Sequence, residues 1–315
     1  MRVTLRLLSP QSRRLLLHVG TVKTGSTSLQ AYMSEHQQAL AEAGWCYLPA
    51  PGRPDRRDLA AACIAIDDQR DELLRSSQLV EPQQRLAFRQ QVRSQLETQL
   101  QQLPPGLGVI LSSEHFHLSL QRPAEIQTLK QLLLELGLEP QQVVIYLREP
   151  LALIESLFST MVRSGDQRPL PADPADPFVT LICDHSASLA RWRAVFGEAV
   201  VQPRAFPPRA GRSLSRDFLE LLDAEPAAGW PPEPAAQRNR GLNPQALTLL
   251  AWLNRHCLWL TPQARYRWQR GLRWLLDGAL SRWASGSYRL PEPQRSRYAQ
   301  RYGDSYAALL QREVP

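Results

Sequence analysis

Apolar residues in the first half of the chain fall in short unbroken runs, separated by longer stretches of mixed character. Leu15-Leu16-Leu17-His18-Val19, Val109-Ile110-Leu111 and Val143-Val144-Ile145-Tyr146-Leu147 are the clearest of these runs. Each is short for a helix and too continuous for a strand with one wet face. Strands covered on both faces read this way, as they do in a parallel sheet. Between them, apolar positions recur at helical spacing and end at glycine or proline. The pattern predicts strands over 14–19, 45–48, 109–112, 143–148 and 199–202. It predicts helices over 26–43, over 57–102 with a break near Pro82, over 124–136, from Pro150 through Val162, over 178–196 and over 213–222.

Strands alternating with helices imply an α/β fold: three layers, with a central parallel sheet flanked by helices. The C-terminal part, 244–310, reads as mainly helical, and helical spacing puts Trp252, Trp259, Trp268, Trp274 and Trp283 in a core. Proline-rich stretches at 49–54, 164–177 and 224–234 read as loops. The whole chain, 1–315, reads as one domain, with a nucleotide-binding half at 14–163 and a mostly helical half at 164–315.

Composition narrows the class. A chain of 315 residues with 43% hydrophobic content can bury one large α/β core. No apolar run approaches the roughly eighteen residues of a membrane span. Residues 1–14 are basic and interrupted by arginines and Ser9-Pro10, unlike a signal peptide. Cys46, Cys63, Cys183 and Cys257 are scattered without CxxC spacing, which points to reduced thiols in the cytoplasm, no structural disulfide and no metal site. The net charge of +7 suits a polyanionic small ligand or an acidic acceptor. Nucleic acid would call for a basic stripe with aromatic platforms, and none stands out.

The first apolar run leads into Gly20-Thr21-Val22-Lys23-Thr24-Gly25-Ser26-Thr27-Ser28. A strand, a glycine-bounded turn and a helix start direct backbone N–H groups and the positive end of a helix dipole at one place, which suits phosphate. Gly20 and Gly25 have the Gly-x4-Gly spacing of a Walker A loop, but Ser26 stands where its lysine belongs. The lysine lies inside the loop, at Lys23. It is one of two lysines, with Lys130, in a chain that otherwise carries positive charge as arginine. A compact point charge there can reach a bridging oxygen on the group attached to the phosphate.

Two further strand ends carry candidate chemistry. Val143–Leu147 runs into Arg148-Glu149-Pro150, and Ser156 stands eight residues beyond Arg148. A guanidinium and a hydroxyl at the C-terminal end of a parallel strand make a phosphate clamp. The alternative is a capped strand whose Arg148 pairs with Glu149 or Glu155. Val109–Leu111 ends in Ser112-Ser113-Glu114-His115-Phe116-His117, which supplies a carboxylate and two imidazoles able to take a proton.

Together the loop and the Arg148/Ser156 spacing resemble the sulfotransferases that use 3′-phosphoadenosine 5′-phosphosulfate. That resemblance implies a P-loop-like fold in which Thr21, Lys23, Thr24, Gly25, Ser26, Thr27 and Ser28 hold the 5′-phosphosulfate. Arg148 and Ser156 would hold the 3′-phosphate, with Arg240 of Arg238-Asn239-Arg240 as a further contact. It ranks Glu114 first as general base, His115 second, and Glu42 and His117 behind them. It implies sulfuryl transfer, without a metal, to a hydroxyl or amine of a small-molecule or glycan acceptor. A P-loop nucleotide kinase and a catalytically inactive nucleotide- or glycan-binding protein on the same fold are the alternatives.

Overall fold

The computed structural model describes residues 12–68, 71–164, 173–208, 212–222, 244–256 and 288–313. Five strands form one sheet: β1 (Arg13–Val19), β2 (Trp45–Tyr47), β3 (Gly108–Ser113), β4 (Leu138–Arg148) and β5 (Val201–Phe206), in the order β2-β3-β1-β4-β5. The β1–β3, β1–β4 and β2–β3 pairings are all parallel. Every residue of β3, and Leu15–Val19 of β1, is buried, which is why these strands read as unbroken apolar runs. The α/β class with a parallel sheet flanked by helices is what the chain adopts. β4 begins earlier than its apolar run because Leu138 and Glu139 pair with Arg13 and Arg14, ahead of a register shift near Pro140.

Register positions the site. Val19 pairs with Ser113 on one side and Ile145 on the other, so the turns that follow β1 and β3 leave the sheet side by side.

Several predicted helices are divided. The 26–43 stretch is α1 (Ser26–Glu35) and α2 (Gln37–Glu42), separated at His36, whose ring packs 4.3 Å from that of Tyr32. The 57–102 stretch is α3 (Arg57–Cys63), α4 (Glu72–Ser76) and α5 (Pro82–Gln101). Asp71 caps α4 by accepting from Leu73 N at 2.7 Å, and Pro82 opens α5 where a missing N–H costs nothing. A short helix, α6 (His115–Ser119), follows β3 before α7 (Pro123–Glu135). The 178–196 stretch is α9 (Pro177–Cys183) and α10 (His185–Phe196), parted at Asp184. Ser213 caps α11 (Leu214–Leu219) through Arg216 N at 3.3 Å. α8 spans Pro150–Ser164.

The described residues fall into two compact units. The first holds the sheet to Leu147, α1 to α7, α10, β5 and α11. One of its cores joins Leu16, Ile110, Val144 and Tyr146 of the strands to Leu29, Met33 and Phe218. Burying each such side chain contributes about 1.5–3 kcal/mol.

The second unit begins at Arg148 and contains α8, α9, α12 (Pro244–His256), α13 (Glu292–Tyr298) and α14 (Asp304–Glu313) as far as Gln311. Phe158 and Val162 of α8 meet Leu247 and Leu250 of α12, and Phe158 stacks on Tyr288 at 4.1 Å. Trp252 departs from its predicted core position. It is 54% exposed and stacks on His256 instead, because Leu247 and Leu250 occupy the buried face of α12. The other four tryptophans of that series, the 224–234 loop and Arg238-Asn239-Arg240 lie outside the described residues. No helix among the described residues is long and apolar enough to cross a membrane.

Candidate active site

The loop after β1 is held by its own side chains. Gly20 N donates to Ser113 O at 3.0 Å, continuing the β1–β3 pairing one residue past the strand. Thr21 Oγ1 donates to Tyr146 O at 2.6 Å, and Thr24 Oγ1 donates to Thr21 O at 2.8 Å. Both threonines are buried, and these hydroxyl bonds shape the loop. Lys23 adopts φ 62° and Gly25 φ 78°. A lysine in the left-handed region costs roughly 1–3 kcal/mol, and such residues persist where surrounding structure fixes them. The left-handed backbone at position 25 favours glycine, and a Cβ there would also displace Leu214, whose Cδ2 it would meet at 2.8 Å.

Helix α1 starts without a cap. Its N-cap, Gly25, makes no side-chain hydrogen bond, and no acidic residue sits in the first turn. The first-turn N–H groups therefore present partial positive charge that no acidic side chain of the helix itself neutralises. Ser26 is 1% exposed, and its Oγ has no hydrogen-bond partner of standard geometry although it lies beside the Glu114 carboxyl. A hydroxyl buried at a helix start and free to turn from that carboxyl fits a phosphate or sulfate oxygen. Thr27 and Ser28, the next two residues of the motif, are exposed.

Glu114 follows Ser113, the register partner of Val19, so it stands next to Gly20. A Cβ on Gly20 would lie 2.7 Å from Ser26 Oγ and 3.0 Å from Glu114 Cγ. Burial pushes the Glu114 pKa up, while the Ser26 hydroxyl and the Lys23 charge draw it back. A carboxylate short of solvent binds a proton more readily, which suits a base. His115 is pushed down by burial and then by Arg57, against Asp55 and Glu72.

The other proton acceptors have different surroundings. Glu42 is exposed at the end of α2 and accepts from Gln38 Nε2 at 3.1 Å. His117 points into the interior beside Arg191 and His185, and burial takes its pKa down to about 3. His18 Nδ1 lies 2.8 Å from Ser112 Oγ, and that oxygen accepts from Gln30 Nε2 at 3.0 Å. Burial lowers His18 to about 4, so it is a neutral member of the core.

Asp55 and Arg57 complete the surroundings of Glu114, one raising and the other lowering its proton affinity. Sequence reasoning assigned neither a role: Asp55 lay between the 49–54 loop and the 57–102 helical stretch, and Arg57 opened that stretch. The alternating charges of Asp55-Arg56-Arg57-Asp58 directly after Pro54 were the signal available.

Comparison with solved structures finds similarity to the crystal structure of a sulfotransferase from Alicyclobacillus acidocaldarius. The two share 15% identity at a TM-score of 0.47, over 77% of this chain and 93% of that one. No family model and no curated protein matches. The chemistry is therefore read from this chain's own residues.

In the second unit, Glu149 caps α8, accepting from Leu151 N at 3.0 Å and Ala152 N at 2.6 Å. Glu155 accepts from Arg295 Nη1 at 2.6 Å and Leu290 N at 2.9 Å. Both carboxylates thus have structural duties besides their attraction for Arg148. Arg148 is half-buried, and burial lowers its pKa against the pull of Glu149, Glu155 and Tyr306. Ser156 is half-buried in α8. Among the described residues no three His, Cys, Asp or Glu side chains gather as a metal would require.

Proposed function

We propose that the protein is a sulfotransferase that moves a sulfuryl group from 3′-phosphoadenosine 5′-phosphosulfate to a hydroxyl or amine of a small-molecule or glycan acceptor. The observation that supports this reading is the gathering of the Lys23 charge, the buried Ser26 hydroxyl and the Glu114 carboxyl about the start of α1, whose N-cap is a glycine. A cation and amides for a leaving phosphate thus lie next to a base for an incoming hydroxyl.

In the proposed reaction Glu114 takes the acceptor proton as the acceptor oxygen or nitrogen forms its bond to sulfur. The bond between sulfur and the bridging oxygen breaks, and its electron pair remains on the phosphate. Lys23, the α1 amides and Ser26 stabilise that charge, which is positioning and electrostatics of the kind that dominates phosphoryl transfer. The motif assigns Arg148 and Ser156 to the 3′-phosphate of the donor. A nucleotide kinase fits less well, since Ser26 replaces the lysine that reaches the β/γ-phosphates.

Calorimetry with 3′-phosphoadenosine 5′-phosphate and with ATP, on wild type and Arg148→Ala, tests the donor. Micromolar binding that requires the 3′-phosphate and weakens in Arg148→Ala supports the reading. Preference for ATP, or no binding of either, defeats it.

A further inference from the structure

At the start of α3 the chain carries a partly buried ion pair, Asp55 with Arg57, that the loop after β1 does not use. The Asp55 side chain is 6% exposed and that of Arg57 40%. Asp55 Oδ1 accepts from Arg57 Nε at 3.1 Å, and Oδ2 accepts from Ser113 Oγ at 3.4 Å. The same Ser113 Oγ accepts from His115 N at 3.2 Å. One carboxylate therefore ties a partly exposed cation to the residue that precedes Glu114. The segment is fixed in turn: Arg56 N donates to Ser112 O at 2.9 Å, and Ala50 N to Asp55 O at 3.2 Å. The Arg56 side chain, wholly buried, anchors it further through Gln99 Oε1 at 2.8 Å and Asp58 at 3.0 Å.

We propose that Asp55 and Arg57 are positioning residues for the base, an opposed pair that fixes the strand end carrying Glu114 and balances the field on its carboxyl. This rests on Glu114 being the base of the proposed reaction. The groups acting on Glu114 are Lys23 of the loop, Ser26 of α1, and Asp55 and Arg57 of the segment entering α3; Glu72 of α4 acts on its neighbour His115. Lys23 and Arg57 favour the carboxylate, and Asp55 disfavours it. Bound donor would occupy Lys23 with a phosphate, leaving Arg57 as the cation that acts on Glu114 from outside the loop.

The pair makes a prediction about sign. A merely structural ion pair, broken from either end, would loosen the site in the same way. As an electrostatic pair its two ends move Glu114 in opposite directions. Asp55→Asn removes a negative charge and leaves Arg57 uncompensated, and both changes favour the carboxylate. Arg57→Gln removes a positive charge and leaves Asp55 uncompensated, and both favour the protonated form. Each shift is on the order of half a pH unit or more, the effect of one nearby charge at an intermediate dielectric.

The test is a carbon-13 NMR titration of the full chain labelled at glutamate, with Glu114 assigned by its loss in Glu114→Gln. A downward shift in Asp55→Asn, an upward shift in Arg57→Gln and a return towards wild type in Arg57→Lys are the expected results. Shifts in the same direction, or none, overturn the proposal. Should Asp55→Asn fail to fold, the two variants at the partly exposed Arg57 still decide. Calorimetry with 3′-phosphoadenosine 5′-phosphate on the same samples separates the two ideas. Absent binding in wild type defeats the donor reading, while the titrations judge the pair independently.

Discussion

Gly20 and Glu114 approach so closely that a Cβ on Gly20 would lie 3.0 Å from Glu114 Cγ and 3.2 Å from its Cα. The contact joins the start of the loop after β1 to the candidate base through adjoining parallel strands. Gly20→Ala must displace Ser26 Oγ, which the new Cβ would meet at 2.7 Å, or push the two turns apart. Overpacking of this kind costs about 1–3 kcal/mol. Urea unfolding should show that loss, and nucleotide binding should weaken with it. Wild-type stability and binding in Gly20→Ala would mean that the two turns have room to separate.

Lys23 combines the charge assigned to it in the proposed reaction with a left-handed backbone, and two substitutions separate these properties. Lys23→Ala should lower turnover roughly 10²–10³-fold, the range for loss of one transition-state donor. Lys23→Gly should lose as much activity, yet unfold at higher urea than Lys23→Ala, because glycine adopts φ 62° without steric cost. Equal stability of the two variants would show that the loop relaxes when the lysine side chain is removed.

Glu114→Gln keeps the shape of the side chain and removes its ability to take a proton. Turnover should fall roughly 10²–10⁴-fold with donor binding nearly unchanged. His115→Gln should have a smaller effect. If the order is reversed, the imidazole is the base and the carboxylate serves to orient it.

The strands were legible because a parallel strand buried on both faces has little choice but to be apolar. The turn between β1 and α1 was legible because its glycine spacing is a local feature. Breaks at His36 and Asp184 carry no glycine or proline, so periodicity ran through them. Helix α6 is too short to show a period at all. Asp55 and Arg57 lay hidden for another reason: their relation to Glu114 arises only when Arg56 N bonds to Ser112 O and folds the segment against β3. Trp252 shows the limit of spacing arguments, since helical recurrence marks a face without saying whether that face is covered.

Two buried histidines should make the fold sensitive to mild acid. His18 titrates at about 4 and His117 at about 3, both held down first by burial, against an ordinary value of 6.5. Between those values the unfolded chain binds protons that the folded chain refuses, so stability rises with pH through this window and levels off above it. Each group contributes up to about 1.4 kcal/mol per pH unit inside the window. The raised carboxyls of Asp58, Asp71 and Glu114 act with the opposite sign at the acid end. The informative quantity is therefore the difference between wild type and His117→Leu, measured by urea unfolding from pH 7.5 down to pH 5. His117 has neither ring nitrogen hydrogen-bonded, so leucine removes a buried polar group that no partner satisfies. The variant should be at least as stable as wild type at pH 7.5 and lose less on acidification. Parallel stability curves would mean that His117 gains a proton without unfolding, through water reaching the space beside Arg191 and His185.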